Sequence, residues 1–483
     1  MSAEVRALEP KSVWNFFEDL NAIPRGSKKE DKVREYVKSF GESLGLQTKV
    51  DEVGNVIIKK PATSGMEDRV GIILQGHIDM VWQKNADTDF DFETQGIESY
   101  INGDWVTARG TTLGADNGMG VAASMALLAS TDIAHPALEG LFTIDEETGM
   151  TGAKGLKGGE LDGKILLNLD TEDDDEITIG CAGGVDTVGT KSYSGETPDA
   201  ASKGMYIKIS GLSGGHSGMD IHLGRGNANL IMNRLLLNAD KFDARIAVID
   251  GGSLRNAIPR ESNATVSVVD LDGFTAHINT LASDIKLELG TTDPNFIVEL
   301  KEVDAPVSVL PLEEQKKLVR TIYTIPNNVW RMSPDMPGLT ETSSNLARVI
   351  VKEGMMTIET LQRSSVDSQK WDIANSVRSS MEMMGADVVH SGSYPGWTPK
   401  PDAPIVSIMN DLYKEMYKED PKVNACHAGL ECGILGTFYP DVQMISFGPT
   451  IKGAHSPDER VGIKSVAKFW DYLLAALKHI PKA

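Results

Sequence analysis

The stretch Val70-Gly71-Ile72-Ile73-Leu74-Gln75-Gly76-His77-Ile78-Asp79 decides the fold of this chain. Its apolar run, Val70–Leu74, lacks the alternation of a half-exposed strand and suits a strand covered on both faces. Leu138–Ile144, Lys164–Leu169 and Val442–Phe447 are runs of the same kind, and Val121–Leu128 reads as a helix between the first two. Strands alternating with helices predict an α/β domain. In open α/β sheets the ligand crevice lies outside the carboxyl ends of the strands, so the residues after each run matter most.

Those residues are chemically uniform. After the first run come His77 and Asp79, and before the helix stands Gly114-Ala115-Asp116-Asn117-Gly118. Asp145-Glu146-Glu147 follows the second run, Asp170 the third, and Gly453-Ala454-His455-Ser456-Pro457 the fourth. Each motif alone has an ordinary explanation: Glu-Glu favours a helix start, and Asp-Asn-Gly is a turn. Their recurrence at successive strand ends points instead to a divalent-cation site of the zinc type, or a pair of sites. A pair needs a bridging carboxylate, for which Asp116 is placed; His77, His455, Glu147 and Asp170 complete the set. Asp79, two residues past His77, shares its face if the chain is extended and can orient the imidazole. One of Glu146 and Glu147 can ligate, leaving the other free to accept a proton from a bridging water.

Working outward, Ser27 with Glu30 predicts a capping box for a helix carrying Val33, Tyr36, Val37, Phe40 and Leu44, with Gly45 as its stop. Met205, Ile207 and Ile209 alternate with polar residues, as do Ala264, Val266 and Val268, predicting half-exposed strands of a smaller α+β domain. Val466, Phe469, Trp470, Leu473, Leu474 and Leu477 form one apolar helical stripe. The expected organisation is a discontinuous catalytic domain, 1–188 plus 393–483, with the smaller domain of 189–392 inserted between.

The chain has 483 residues, 47 Lys+Arg against 69 Asp+Glu, and a formal net charge of −22. Nucleic acid and anionic membranes call for a basic face, so neither is expected as a partner. No run of 18 or more apolar residues and no signal-type N-terminus are found, and three cysteines make no disulfide framework. A cytoplasmic location is expected. The acidic run Glu172–Glu176 is expected to be a solvated loop.

The sequence resembles the M20 metallopeptidase family nearly end to end, most closely its aminoacyl-histidine dipeptidase branch. The resemblance is carried by Leu74–Val81, Arg109–Gly118, Asp145–Met150, Gly180–Gly184, Gly214–Gly218, Leu254–Arg260, His427–Gly433, Gly448–Thr450 and His455–Asp458. It implies a zinc-exopeptidase-like catalytic domain, with the inserted domain of 189–392 serving as a lid and dimerisation domain. It also implies one cation on His77, Asp116 and Asp170 and a second on Asp116, Glu147 and His455. Glu146 matches the general base and Asp79 the acid that orients His77. His216 matches a histidine that reaches the tetrahedral intermediate, with His222 as competitor, and Asn256 matches a substrate-contacting Asn. Arg363 could clamp a peptide carboxylate bidentately, and His427 and Gly429 are expected to line the cleft rather than join Cys426 and Cys432 in a structural zinc site. The implied activity is hydrolysis of small unblocked dipeptides, Xaa-His and β-alanyl-histidine types included, through a metal-bridged water, by a homodimer joined through the lid. Zinc is the expected metal, and cobalt or manganese tolerate the same donors. The alternatives are an N-acyl-amino-acid deacylase with the same centre, or a non-catalytic metal-binding protein.

Overall fold

A computed structural model describes residues 2–483. The chain forms two compact units. The first runs to Gly180 and takes up Pro399–Ala425 and Leu430–Ala483; the second comprises Cys181–Thr398 and Cys426–Gly429.

The first unit is built on an eight-stranded mixed sheet. Its order is Gln47–Val50, Val56–Lys60, Leu138–Thr143, Ile72–His77, Ile165–Asn168, Gln443–Ser446, Glu176–Cys181 and Lys422–Cys426. The four strands from Leu138–Thr143 to Gln443–Ser446 are parallel. Ile72, Ile73 and Leu74 are buried, as both-face coverage requires. The strand continues three residues beyond the apolar run, so His77 closes the strand rather than following it, paired with Thr143. Gln75 and Gly76 extend it because the next strand's register supplies their hydrogen-bond partners, an influence hydropathy does not carry.

The predicted helix is longer than its apolar core, spanning Ala115–Ala129. The supposed turn Gly114–Gly118 is its first turn, with Asp116 and Asn117 off helical geometry. Two glycines let this helix lie close to the sheet. A Cβ on Gly76 would stand 2.3 Å from Asn117 Oδ1, and one on Gly120 2.3 Å from the Leu169 carbonyl. Helix Lys11–Asn21 buries Val13, Trp14, Phe17 and Leu20 and packs on the same helix.

The expected capping box is absent. Helix Asp31–Ser43 has Glu30 at its N-cap with no side-chain cap bond. Ser27 Oγ instead donates to Asp79 Oδ2 at 2.7 Å, and Glu30 Oε1 accepts from the N–H of Lys28 and Asp145. Both residues serve the loops around the buried acids, a tertiary demand that overrides the local motif. Gly45 does end this region with a φ of 69°.

The second unit is an antiparallel sheet in the order Ile297–Val303, Lys203–Ser210, Ser262–Val268, Arg245–Gly251, Thr340–Lys352, Met355–Ser364, Gly183–Ser192 and Asp387–Tyr394. Burial alternates along Lys203–Ser210 as the hydropathy predicts, with Met205, Ile207 and Ile209 inside. Helices Ala228–Leu236 and Leu271–Glu288 add Leu235, Phe274 and Ile278 to that core. Phe274 is wholly buried, its ring 6.0 Å from that of Phe242. Phe274→Ala is expected to cost about 3–5 kcal/mol through lost burial and a residual cavity. Denaturant unfolding should show the loss; an unchanged midpoint would remove Phe274 from the core.

Among the described residues, no helix is long and apolar enough to cross a membrane.

Candidate metal centre

Seven side chains converge at the carboxyl edge of the first unit's sheet. His77 ends its strand, and Asp79 follows on the same side with Oδ1 3.3 Å from His77 Nδ1. Opposite, His77 Nε2 lies 3.1 Å from Asp116 Oδ1 and 3.5 Å from Asp170 Oδ1. The other Asp116 oxygen, Oδ2, lies 3.3 Å from His455 Nε2, which is 2.9 Å from Glu147 Oε2. Asp116 therefore presents one oxygen to each imidazole. Three donor groups have all their ligand atoms within 4.8 Å of one another: His77, Asp116 and Asp170; Asp116, Glu147 and His455; and His77, Glu146 and Glu147.

The local chain explains the placement. Gly114 has a φ of 72°, open to glycine at little cost, and turns the chain into the helix that carries Asp116. Asp145 also takes a left-handed φ, 52°, and starts the short helix Glu146–Gly149. The N–H of Glu146 donates to Asp79 Oδ1 at 3.0 Å and that of Glu147 to Oδ2 at 3.3 Å. Asp79, fully buried, thus orders both His77 and the Glu-Glu pair, and these donors help hold its carboxyl below the ordinary range against the effect of burial.

Concentrated negative charge shapes every titration here. Burial pushes the Glu146 carboxyl well above its usual range, and the charges of Asp170 and Glu147 add to the shift. Burial likewise raises Asp170 to about 6 and raises Glu147. Burial opposes charge on His77, yet Asp170, Asp116 and Asp79 outweigh it and hold the imidazole well above its ordinary value. Hydrogen bonds to Asp116 and Glu147 raise His455 to about 11. Five carboxylates therefore face two imidazoles, and Glu147 Oε1 is buried with no hydrogen-bond partner. An orphaned carboxylate oxygen in an oxygen- and imidazole-rich cluster fits a divalent cation.

Two buried groups on this edge escaped sequence reasoning. Arg25 is wholly buried and donates to the carbonyls of Asp79 at 3.1 Å and Gly114 at 2.5 Å. Glu459 accepts from the N–H groups at the start of the Asp116 helix. Beneath the edge, Glu431 Oε2 accepts from Thr143 Oγ1 and Gln75 Nε2, both at 2.6 Å, and burial pushes its carboxyl up to about 7. Arg25 and Glu459 stand in stretches whose composition looks like loop or surface, so local pattern gave no signal, whereas Glu431 opens the apolar helix Glu431–Phe438.

The acidic run is a loop with exposed to half-exposed side chains, as expected, and its aspartates are paired. Asp173, Asp174 and Asp175 pair with Lys452, Lys468 and Lys422 at 2.6, 2.7 and 2.8 Å. Glu172 is exposed, and the surrounding protein and the charge of Asp116 push its carboxyl above the ordinary range.

The second unit holds a separate polar cluster. His216 pairs with Ala257 in a two-residue ladder. Its Nδ1 accepts from the N–H groups of Gly218 and Met219 at 3.2 and 3.0 Å. Arg363 is buried, with Nε 3.3 Å from Ser217 Oγ, Nη1 2.9 Å from Tyr394 Oη and Nη2 3.5 Å from His216 Nε2. Among the described residues no carboxylate pairs with it. His427 Nε2 lies 2.7 Å from Ser343 Oγ. Burial and the Arg363 charge lower His216 to about 4 and His427 to about 3, so both are neutral near pH 7. A Cβ on Gly218 would stand 2.0 Å from the His427 carbonyl, which fixes that approach. Asn256 is exposed and contributes its carbonyl to Ser217 N–H at 2.8 Å. His222 is exposed on a three-residue turn, and Gly429 ends the segment Cys426–Gly429. No donor group among the described residues includes a cysteine.

Sheet, edge and donor set are those of a metal-dependent peptidase, and residues 73–479 match the model of the peptidase family M20/M25/M40. The chain belongs to this family, which implies divalent metal ions. It is 40% identical over 482 residues to the cytosol non-specific dipeptidase of Escherichia coli strain K12, covering 99% of each chain. The crystal structure of aminoacylhistidine dipeptidase from Vibrio alginolyticus is 44% identical, with a TM-score of 0.92 over 100% of this chain and 99% of that one. A tripeptidase from Staphylococcus aureus, 16% identical with a TM-score of 0.57 over 98% and 99% of the two chains, shares the fold.

Proposed function

We propose that this protein is a cytosolic metallodipeptidase that hydrolyses unblocked dipeptides, aminoacyl-histidine types among them. The observation that carries the reading is Asp116, whose two oxygens face two different imidazoles. Near full-length likeness to two dipeptidases supports the substrate class.

His77, Asp116 and Asp170 would hold one divalent cation, and Asp116, Glu147 and His455 the other, zinc being the first choice. When bound, such cations act as Lewis acids on a carbonyl and lower the pKa of water. The residues supply the rest. Glu146, outside both ligand groups, takes the proton of the attacking water and returns it to the leaving amine. Asp79 fixes the tautomer and orientation of His77 while holding Glu146 by its N–H. In the second unit, His216 accepts hydrogen bonds at Nδ1, so its neutral ring carries the proton on Nε2, a donor suited to a developing oxyanion. Arg363 takes the peptide carboxylate, with His427, Asn256 and Gly429 as further substrate contacts. A homodimer joined through the second unit completes the proposal.

A dipeptide panel tests it, with and without C-terminal His and with and without an N-acyl group, before and after chelation. Unblocked dipeptides should be cleaved, N-acylated ones spared, and chelation should abolish turnover. Activity that survives complete metal removal overturns the reading, and preference for N-acyl substrates makes the protein a deacylase. Arg363→Ala is expected to lower kcat/KM by about 10–100-fold, the worth of a lost charge-assisted hydrogen bond; an unchanged value would free Arg363 of the carboxylate.

A further inference from the structure

Glu459 lies four residues beyond His455 and is buried. Its Oε2 accepts from the N–H of Leu113 at 2.7 Å and of Gly114 at 2.9 Å. Its Oε1 accepts from Ala115 at 2.7 Å and from Asp116 itself at 3.3 Å. Four consecutive N–H groups, including ones a helix start leaves without intrahelical partners, thus converge on one side chain. Arg25 holds the far side of the same turn through the Gly114 carbonyl. Glu459 is itself anchored: its carbonyl accepts from Thr107 Oγ1 at 2.8 Å, and Arg460 pairs with Thr107 across a ladder. The loop so anchored contains His455, whose φ of 61° is left-handed. A non-glycine residue pays roughly 1–2 kcal/mol for that conformation, and it persists only where the surroundings over-determine it.

We infer that Glu459 is a positioning residue that locks the Asp116 turn to the His455 loop, so that carboxylate and imidazole meet in one fixed pair. The inference rests on the assignment of Asp116 and His455 as cation ligands. Glu459 touches neither substrate nor cation in this role. Its carboxylate suits the task because both oxygens only accept, whereas an amide of equal size turns an NH₂ toward N–H donors.

The test is Glu459→Gln beside Glu459→Asp, with zinc binding measured on the metal-free chain by competition with a chromogenic chelator. Glu459→Gln should weaken one of the two equivalents by about 10–100-fold, the usual effect of removing a group that orients a ligand. It should lower kcat with the dipeptide KM unchanged and leave far-UV circular dichroism intact. Glu459→Asp, which keeps two acceptor oxygens, should recover part of the loss. Two equivalents bound as in the wild type, or a loss that merely follows a lowered melting point and is not eased by Glu459→Asp, overturns the inference. His455→Ala separates the two levels. If it loses one equivalent and Glu459→Gln none, only the positioning role fails. If neither loses any, the assignment of the cation ligands fails too.

Discussion

Glu146→Ala is expected to keep the cation content of the wild type and to lower kcat by about 10²–10⁴-fold, the range of a lost general base. The argument is geometric first. Both three-donor groups that share Asp116 are complete without Glu146. Its own carboxyl stands close enough to His77 and Glu147 to form a group with them, which puts it beside the place where water would react. Its backbone is fixed by the 3.0 Å bond to Asp79, so truncation at Cβ leaves the Glu147 ligand where it was. Burial and the charges of Asp170 and Glu147 raise the proton affinity of this carboxyl in the metal-free chain, the direction a proton acceptor requires. A group that acts only in the transition state lowers kcat while leaving substrate affinity nearly untouched. Metal analysis and steady-state kinetics on one preparation decide the matter. A wild-type kcat removes Glu146 from the base role, and a lost metal equivalent moves it into the ligand set.

The contrast between Glu146 and Glu459 marks what a sequence displays. Glu146 follows an apolar run at the edge where α/β sheets place ligands, so strand pattern and fold rule together point to it. The same holds for His77, Asp116, Glu147, Asp170 and His455, each near the end of a run or the start of a helix. The alternation of Met205, Ile207 and Ile209 likewise marks a sheet with one inner face. Glu459 and Arg25 are different. The Glu459 carboxylate's partners lie 343–346 residues away, and the Asp79 and Gly114 carbonyls that Arg25 holds lie 54 and 89 away; nothing local separates a glutamate that caps a distant turn from one in water. Ser27 shows the converse error. Ser-x-x-Glu is a sound local signal, but Asp79, 52 residues away, claims the hydroxyl. Local patterns therefore located the chemistry, while the supports that hold it in place depend on pairings between remote segments.

His455→Ala should reduce the bound divalent cations from two equivalents to one and cut turnover more severely than the Glu459 variants. His455 is the only imidazole in the Asp116–Glu147–His455 group, and it reaches that group from a loop rather than from the sheet. Removing it leaves two carboxylates with too few donors for a four-coordinate zinc site. The group around His77 keeps all three of its members, so that equivalent should remain. The loss also has a thermal signature independent of activity. A cation that binds only the folded chain stabilises it by RT ln(1 + [L]/Kd), about 2.7 kcal/mol when free metal is 100-fold above Kd. Titrating zinc into the metal-free wild type should therefore raise its melting point in two concentration ranges, and into His455→Ala in one. Two ranges in the variant, with two equivalents by metal analysis, would place His455 outside the centre.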